Sequence, residues 1–140
     1  MIYIDTGAFL ARHLSKDQYH LQANAFWESV HKKNEACVTS NFVLDETFTL
    51  LGRRAGYNFA AQRARNIYAS ESLQILRPTG KEELAAIDFF EKYSDQHLSF
   101  TDCVSFVLMR SKKIKRIFTF AQHFQLAGFQ IYPKIPPYYN

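Results

Sequence analysis

Strands alternating with helices along nearly the whole chain predict an α/β fold. The expected form is a three-layer α/β/α sandwich around a central parallel sheet of about five strands. Three observations carry this. The first residues, Met1-Ile2-Tyr3-Ile4-Asp5, are an apolar run closed by an acid and then Thr6-Gly7, the pattern of a strand buried on both faces. Short apolar runs recur at 36–39, 73–76, 115–120 and 129–132. Between them lie segments whose apolar residues repeat at spacings of three and four, the signature of helices packed on a sheet.

The elements follow in order. Gly7 to Leu10 reads as a short helical turn. Lys16 to Lys33 reads as a helix, with Tyr19, Ala23, Phe26, Trp27 and Val30 on one side, broken at Asn34-Glu35. The strand Ala36 to Thr39 ends in Ser40-Asn41. Phe42 to Ala55 is a helix stopped by Gly56. Asn58 caps the next, which runs to about Ser70. After the strand Leu73 to Leu76 and Pro78, Thr79 with Glu82 forms a capping box. The helix that follows carries Leu84, Ile87, Phe90 and Tyr93. Ser99-Phe100-Thr101-Asp102 opens a helix to about Lys112. A strand over 115–120, a short helix from Ala121 to Ala127 closed by Gly128, and a strand over 129–132 complete the pattern. The tail, 133–140, should be irregular. No repeat or linker interrupts the chain, so a single domain, 1–140, is expected.

With 140 residues, 47% of them apolar and 16% aromatic, the chain can fill a core. No apolar run approaches the roughly 18 residues of a membrane span. Met1 opens directly into the first strand and leaves no room for a signal peptide, so a cytoplasmic protein is expected. Cys37 and Cys103 stand apart without metal-ligand spacing and read as reduced core thiols. A net charge of +4 favours an anionic partner, most commonly nucleic acid. Gly7 stands alone after the first strand, which excludes the dinucleotide and P-loop fingerprints.

Three acids fall at informative places. Asp5 lies at the carboxyl end of a buried strand, where open α/β sheets bind ligands; capping the next helix is its simpler role. Glu46 shares a helix face with Phe42 and Leu50, and points either into packed structure or to an edge near Arg53. Asp102 sits in the first turn of a largely apolar helix, where it complements the helix dipole. Three carboxylates converging in one cleft cannot all ionise without a cation. Oxygen ligands without a His or Cys cluster suit Mg²⁺ or Mn²⁺, and such ions commonly meet phosphate oxygens.

Ile4-Asp5-Thr6, Glu46 within Val43-Leu44-Asp45-Glu46-Thr47, and Ser99-Phe100-Thr101-Asp102-Cys103-Val104-Ser105-Phe106 together resemble the PIN-domain ribonucleases. Ile117-Phe118-Thr119-Phe120-Ala121-Gln122-His123-Phe124, followed by Ala127-Gly128-Phe129, is similar to that family's last motif. The resemblance spans nearly the whole chain, and it extends to the VapC-like toxins of toxin–antitoxin pairs. It implies divalent-metal-dependent RNA hydrolysis, a homodimer and inhibition by a small antitoxin. Carried over, the metal ligands are Asp5, Glu46 and Asp102. At Ala121 the chain departs from the family, which has an acid there, so the expected enzyme is weakened.

Further expectations attach to other residues. Thr6, Ser40, Thr101 and Ser105 are candidates to hydrogen-bond metal waters or ligating carboxylates, with helix capping the simpler role for Ser40 and Thr101. Arg53, Arg54, Lys112 and Lys113 are candidate phosphate contacts. His123 reads as a packing or surface residue. A phosphatase on a similar sheet would need a second acid two residues after Asp5, where Gly7 stands. The non-enzymatic alternative is a catalytically inactive PIN-like RNA- or protein-binding module, kept open by Ala121.

Overall fold

The computed structural model describes residues 1–134. The expectations for 135–140, including the apolar surface of Pro136-Pro137-Tyr138-Tyr139, lie outside the described residues. The elements are β1 (Ile2–Ile4), α1 (Thr6–His13), α2 (His20–Lys32), β2 (Cys37–Ser40), α3 (Asn41–Ala55), α4 (Tyr57–Ala69), β3 (Leu73–Leu76), α5 (Gly80–Lys92), α6 (Phe100–Ser111), β4 (Arg116–Phe118) and β5 (Gln130–Tyr132). Short 3₁₀ turns cover Ser94–Gln96 and Gln122–Gln125.

All strand pairings are parallel, in the order β3-β2-β1-β4-β5. The central strand is therefore β1, which explains why Ile2, Tyr3 and Ile4 have no solvent exposure. The chain winds outward from β1 to β3 and then returns across the sheet to β4. Those opposite directions set α1–α4 on one face and α5–α6 on the other. Each face has its own aromatic core. On the first, Phe118 of β4 meets Phe26 and Trp27 of α2 at 4.7 and 5.1 Å between ring centroids. On the second, Phe106 of α6 meets Phe89, Phe124 and Phe129 at 5.2–5.8 Å. Cys37 and Cys103 are free and buried, as expected.

Several boundaries differ from the sequence reading. The turn after β1 is a full helix, α1, because Ala8, Phe9, Leu10 and Ala11 all bury against the fold. The second helix starts at His20; Asp17 instead accepts the Tyr19 amide at 2.8 Å, a local turn that competes with helix. The cap of α4 is Gly56 and not Asn58, since Gly56 at φ 96 ends α3 and starts α4 in a single residue. The helix expected over 121–127 is only a 3₁₀ turn. Leu84, Ile87 and Phe90 are 66%, 49% and 49% exposed, so α5 buries a different face, centred on Ala86. No helix among the described residues is long and apolar enough to cross a membrane.

Candidate active site

In a parallel sheet the carboxyl ends of the strands share one edge, and the central pair marks the crevice where ligands bind. Asp5 follows β1 on that edge and is only 5% exposed. Thr119, directly after the neighbouring β4, donates a 2.7 Å hydrogen bond to Asp5 Oδ2. The same hydroxyl accepts the Ala121 amide at 3.1 Å, which fixes the turn leaving β4. On the other side, Thr39 of β2 donates to the Ile4 carbonyl at 2.8 Å. Asp5 is thus held from both neighbouring strands. Its side chain accepts no cap bond from α1, so the capping role open to it in the sequence is not the one it takes.

Asp102 reaches the same edge from the amino end of α6. Ser99 accepts the Asp102 amide at 3.1 Å, and Asp102 Oδ2 accepts the Ser99 amide at 3.1 Å. This capping box locks the carboxylate at the positive end of the helix dipole. One turn on, the buried Ser105 hydroxyl bonds the Tyr3 phenol at 2.9 Å. Ser105, a candidate for holding metal water or a ligating carboxylate, ties α6 to β1 through this bond. Ser40 accepts the Val43 amide at 3.1 Å and caps α3, which orients the helix carrying Glu46. Thr6 Oγ1 is buried without a hydrogen-bond partner beside Asp5.

The electrostatics show that the acids share one space. Burial pushes the Asp5 carboxyl up to about 7, and the Asp102 and Glu46 charges add to that push. Burial, then Asp102, also raises Glu46, with the Thr101 hydroxyl pulling the other way. Burial pushes Tyr3 up as well, so its phenol stays neutral beneath the acids. His123, read from sequence as packing or surface, belongs to this group. Its Nε2 lies 3.2 Å from Asp102 Oδ2. Burial alone would lower the imidazole, but Asp102, with Asp5 beyond, lifts it above its ordinary value.

Other expected contacts fall elsewhere. Helices that follow strands run back toward the opposite edge. Arg53 and Arg54 therefore lie at the far end of α3, about 10 Å of helix beyond Glu46, and Lys112 and Lys113 about 15 Å beyond Asp102. These cations lie too far along their helices to meet a phosphate between the acids. Sequence reasoning missed Thr119 and His123. The available signal was positional: both lie in the turn that leaves β4.

A divalent cation fits the donors present. The three carboxylates outnumber the one imidazole paired with Asp102, and Asp102 Oδ1 accepts no hydrogen bond among the described residues. Also among the described residues, no three His, Cys, Asp or Glu side chains close around one point.

Known proteins share this arrangement. The chain is 36% identical over 129 residues to the 23S rRNA-specific endonuclease VapC20 of Mycobacterium tuberculosis, covering 92% of this chain and 95% of that protein. The crystal structure of M. tuberculosis VapC20, described as a sarcin-ricin loop cleaving toxin, aligns with a TM-score of 0.85 at 33% identity. That alignment covers 93% of this chain and 97% of VapC20. The PIN domain profile matches residues 2–130, which hold the first four strands and all the acids described above, and the chain therefore belongs to the PIN domain family.

Proposed function

We propose that the protein is a divalent-metal-dependent endoribonuclease and the toxin of a toxin–antitoxin pair, acting in the cytoplasm on ribosomal RNA of the large subunit. The observation that carries this is the convergence of Asp5, Glu46 and Asp102, three carboxylates against one imidazole, in a chain 36% identical to an rRNA endonuclease. Asp5, Glu46 and Asp102, directly or through water, would hold Mg²⁺ or Mn²⁺. When bound, the cation supplies charge for the scissile phosphate and acidifies water. Thr119 keeps Asp5 turned to the cleft, Ser99 does the same for Asp102, and Ser105 ties α6 to β1. Thr6 and Thr101 offer hydroxyls to the waters around the site. Ala121 lacks the carboxylate that would hold one more water, so activity with Mg²⁺ is weakened. The inactive binding module gains no support, since the other acids and their props are all in position.

Two partners follow. The exposed row Leu84, Ile87 and Phe90 on α5 is an apolar stripe suited to a homodimer. The separate groove expected for the antitoxin is the cleft of about 760 Å³ at the opposite edge, lined by Phe9, Trp27, Ile67 and Leu73 with Arg12 and Arg63.

The test incubates purified ribosomes and total RNA with the protein, with and without chelator, and maps 5′ ends. Discrete, chelator-sensitive cleavage within large-subunit rRNA is expected, strengthened by Ala121→Asp. Cleavage that survives chelator, or none from either protein, rejects the reading. Light scattering that finds only monomer at micromolar concentration rejects the dimer.

A further inference from the structure

His123 is the one imidazole at the mouth of the site among the described residues. Its Nε2 is fully buried yet has no hydrogen-bond partner. It stands 3.2 Å from Asp102 Oδ2, close enough for a hydrogen bond but not aligned as one. An unaligned, buried nitrogen next to a carboxylate oxygen is an unusual arrangement, because a buried polar atom normally finds a partner. Two neighbouring ligands of an octahedral ion, each about 2.1 Å from it, lie about 3 Å apart. The observed separation matches that spacing. His123 also follows Ala121 by two residues, in the same turn after β4, where the chain lacks an acid.

We infer that His123 ligates the catalytic cation together with Asp102, taking over the place left by Ala121 and making the site an oxygen–nitrogen centre that prefers Mn²⁺ to Mg²⁺. This rests on the proposed metal-dependent reading and specifies which ion it uses. The chemistry follows from the donor. Imidazole nitrogen suits transition ions, whereas Mg²⁺ selects oxygen and holds its waters. Asp5 and Glu46 then act through the ion's waters. The ring is held in place by Phe124, whose centroid lies 5.0 Å away.

The experiment uses the full chain and Mn²⁺ alone. Mn²⁺ is titrated by calorimetry, Mg²⁺ is measured by competition, and the Mn²⁺ complex is examined by pulsed electron paramagnetic resonance for coupling to a ligand ¹⁴N. The variants are His123→Gln, which keeps a polar side chain without the imidazole, Ala121→Asp and Asp5→Asn. The His123 side chain is 26% exposed, so His123→Gln should fold, and a melting curve verifies this. The expected result is imidazole ¹⁴N coupling in the native protein, lost in His123→Gln together with about tenfold in Mn²⁺ affinity and little in Mg²⁺ affinity. Ala121→Asp should narrow the preference for Mn²⁺. Mn²⁺ binding that Asp5→Asn weakens, but with no nitrogen coupling, overturns the role of His123 and leaves the metal-dependent reading standing. No Mn²⁺ binding by the native protein overturns both.

Discussion

Two acids stand at opposite ends of the same sheet, and their surroundings could hardly differ more. Glu35, just before β2, is paired with Arg116 at the start of β4 and with the Met1 ammonium at 3.6 Å. Arg116 in turn lies over the Tyr132 ring at 4.5 Å. Glu35, Arg116 and the Met1 ammonium thus compensate one another. Asp5, just past β1, is more deeply buried, and its charged neighbours are two further acids. Folding alone favours the first arrangement, because an acid among acids costs stability unless something positive arrives. The contrast marks Asp5 rather than Glu35 as the candidate functional acid by its lack of compensation, where burial by itself would not.

The comparison breaks most visibly at Asp5. Asp5→Asn should lower RNA cleavage by at least about a hundredfold, since a misplaced reacting group costs that much. It should also raise the melting temperature of the metal-free protein by relieving like-charge repulsion. Cleavage assays and thermal melts on the same preparation check both, and a loss of activity with a lower melting temperature would mean simple unfolding. Thr119→Val removes the hydrogen bond that turns Asp5 to the cleft while keeping the side chain's shape. About a tenfold loss in kcat and in metal affinity is expected, and calorimetry beside steady-state kinetics would show whether the two fall together.

Glu35→Gln is the mirror experiment. It should leave cleavage unchanged and cost about 1 kcal/mol, as expected for a partly exposed pair, or about 4 °C of melting temperature. Lost activity at unchanged stability would erase the distinction between the two edges.

The smallest effect is in pH. Asp5, raised to about 7 from an ordinary 3.8, holds its proton more tightly when folded. Its contribution to metal-free stability is full below about 4 and is lost as pH rises through about 7. His13, near the opposite edge, runs the other way. Burial first, then Arg12 and Arg63, push its imidazole down to about 4 from 6.5. The unfolded chain therefore takes up that proton first, and stability falls as pH drops from about 6.5 toward 4. In chelator the two slopes should largely cancel in the native protein. Asp5→Asn should expose the His13 slope, with melting temperature falling on acidification, and His13→Gln should expose the opposite one. Parallel slopes in both variants would show that other groups control the profile.

Much of this was legible in the chain. The β3 range read from sequence is the one observed, and the Thr79–Glu82 capping box is present with both its hydrogen bonds. Local signals sufficed there: an apolar run bounded by turn residues, and a cap whose partners are three residues apart. Elsewhere local signals misled. Leu84, Ile87 and Phe90 have helical spacing, but spacing names a face without saying what covers it. Ser105 was read as a candidate site hydroxyl, and nothing local shows that it bonds Tyr3, 102 residues away. His123 was set aside for the same reason, since nothing near it in sequence shows that α6 brings Asp102 to its ring.

The amino-acid sequence alone determined the class of fold, the strand positions and the acids at their ends, because hydrophobic period and capping act over a few residues. Only the tertiary structure decided that β1 is central, that Asp5, Glu46, Asp102 and His123 face one crevice, and that Arg53, Arg54, Lys112 and Lys113 do not. Strand order and the direction in which each helix returns are set by long-range packing, and charge compensation depends on those distances and not on neighbours along the chain.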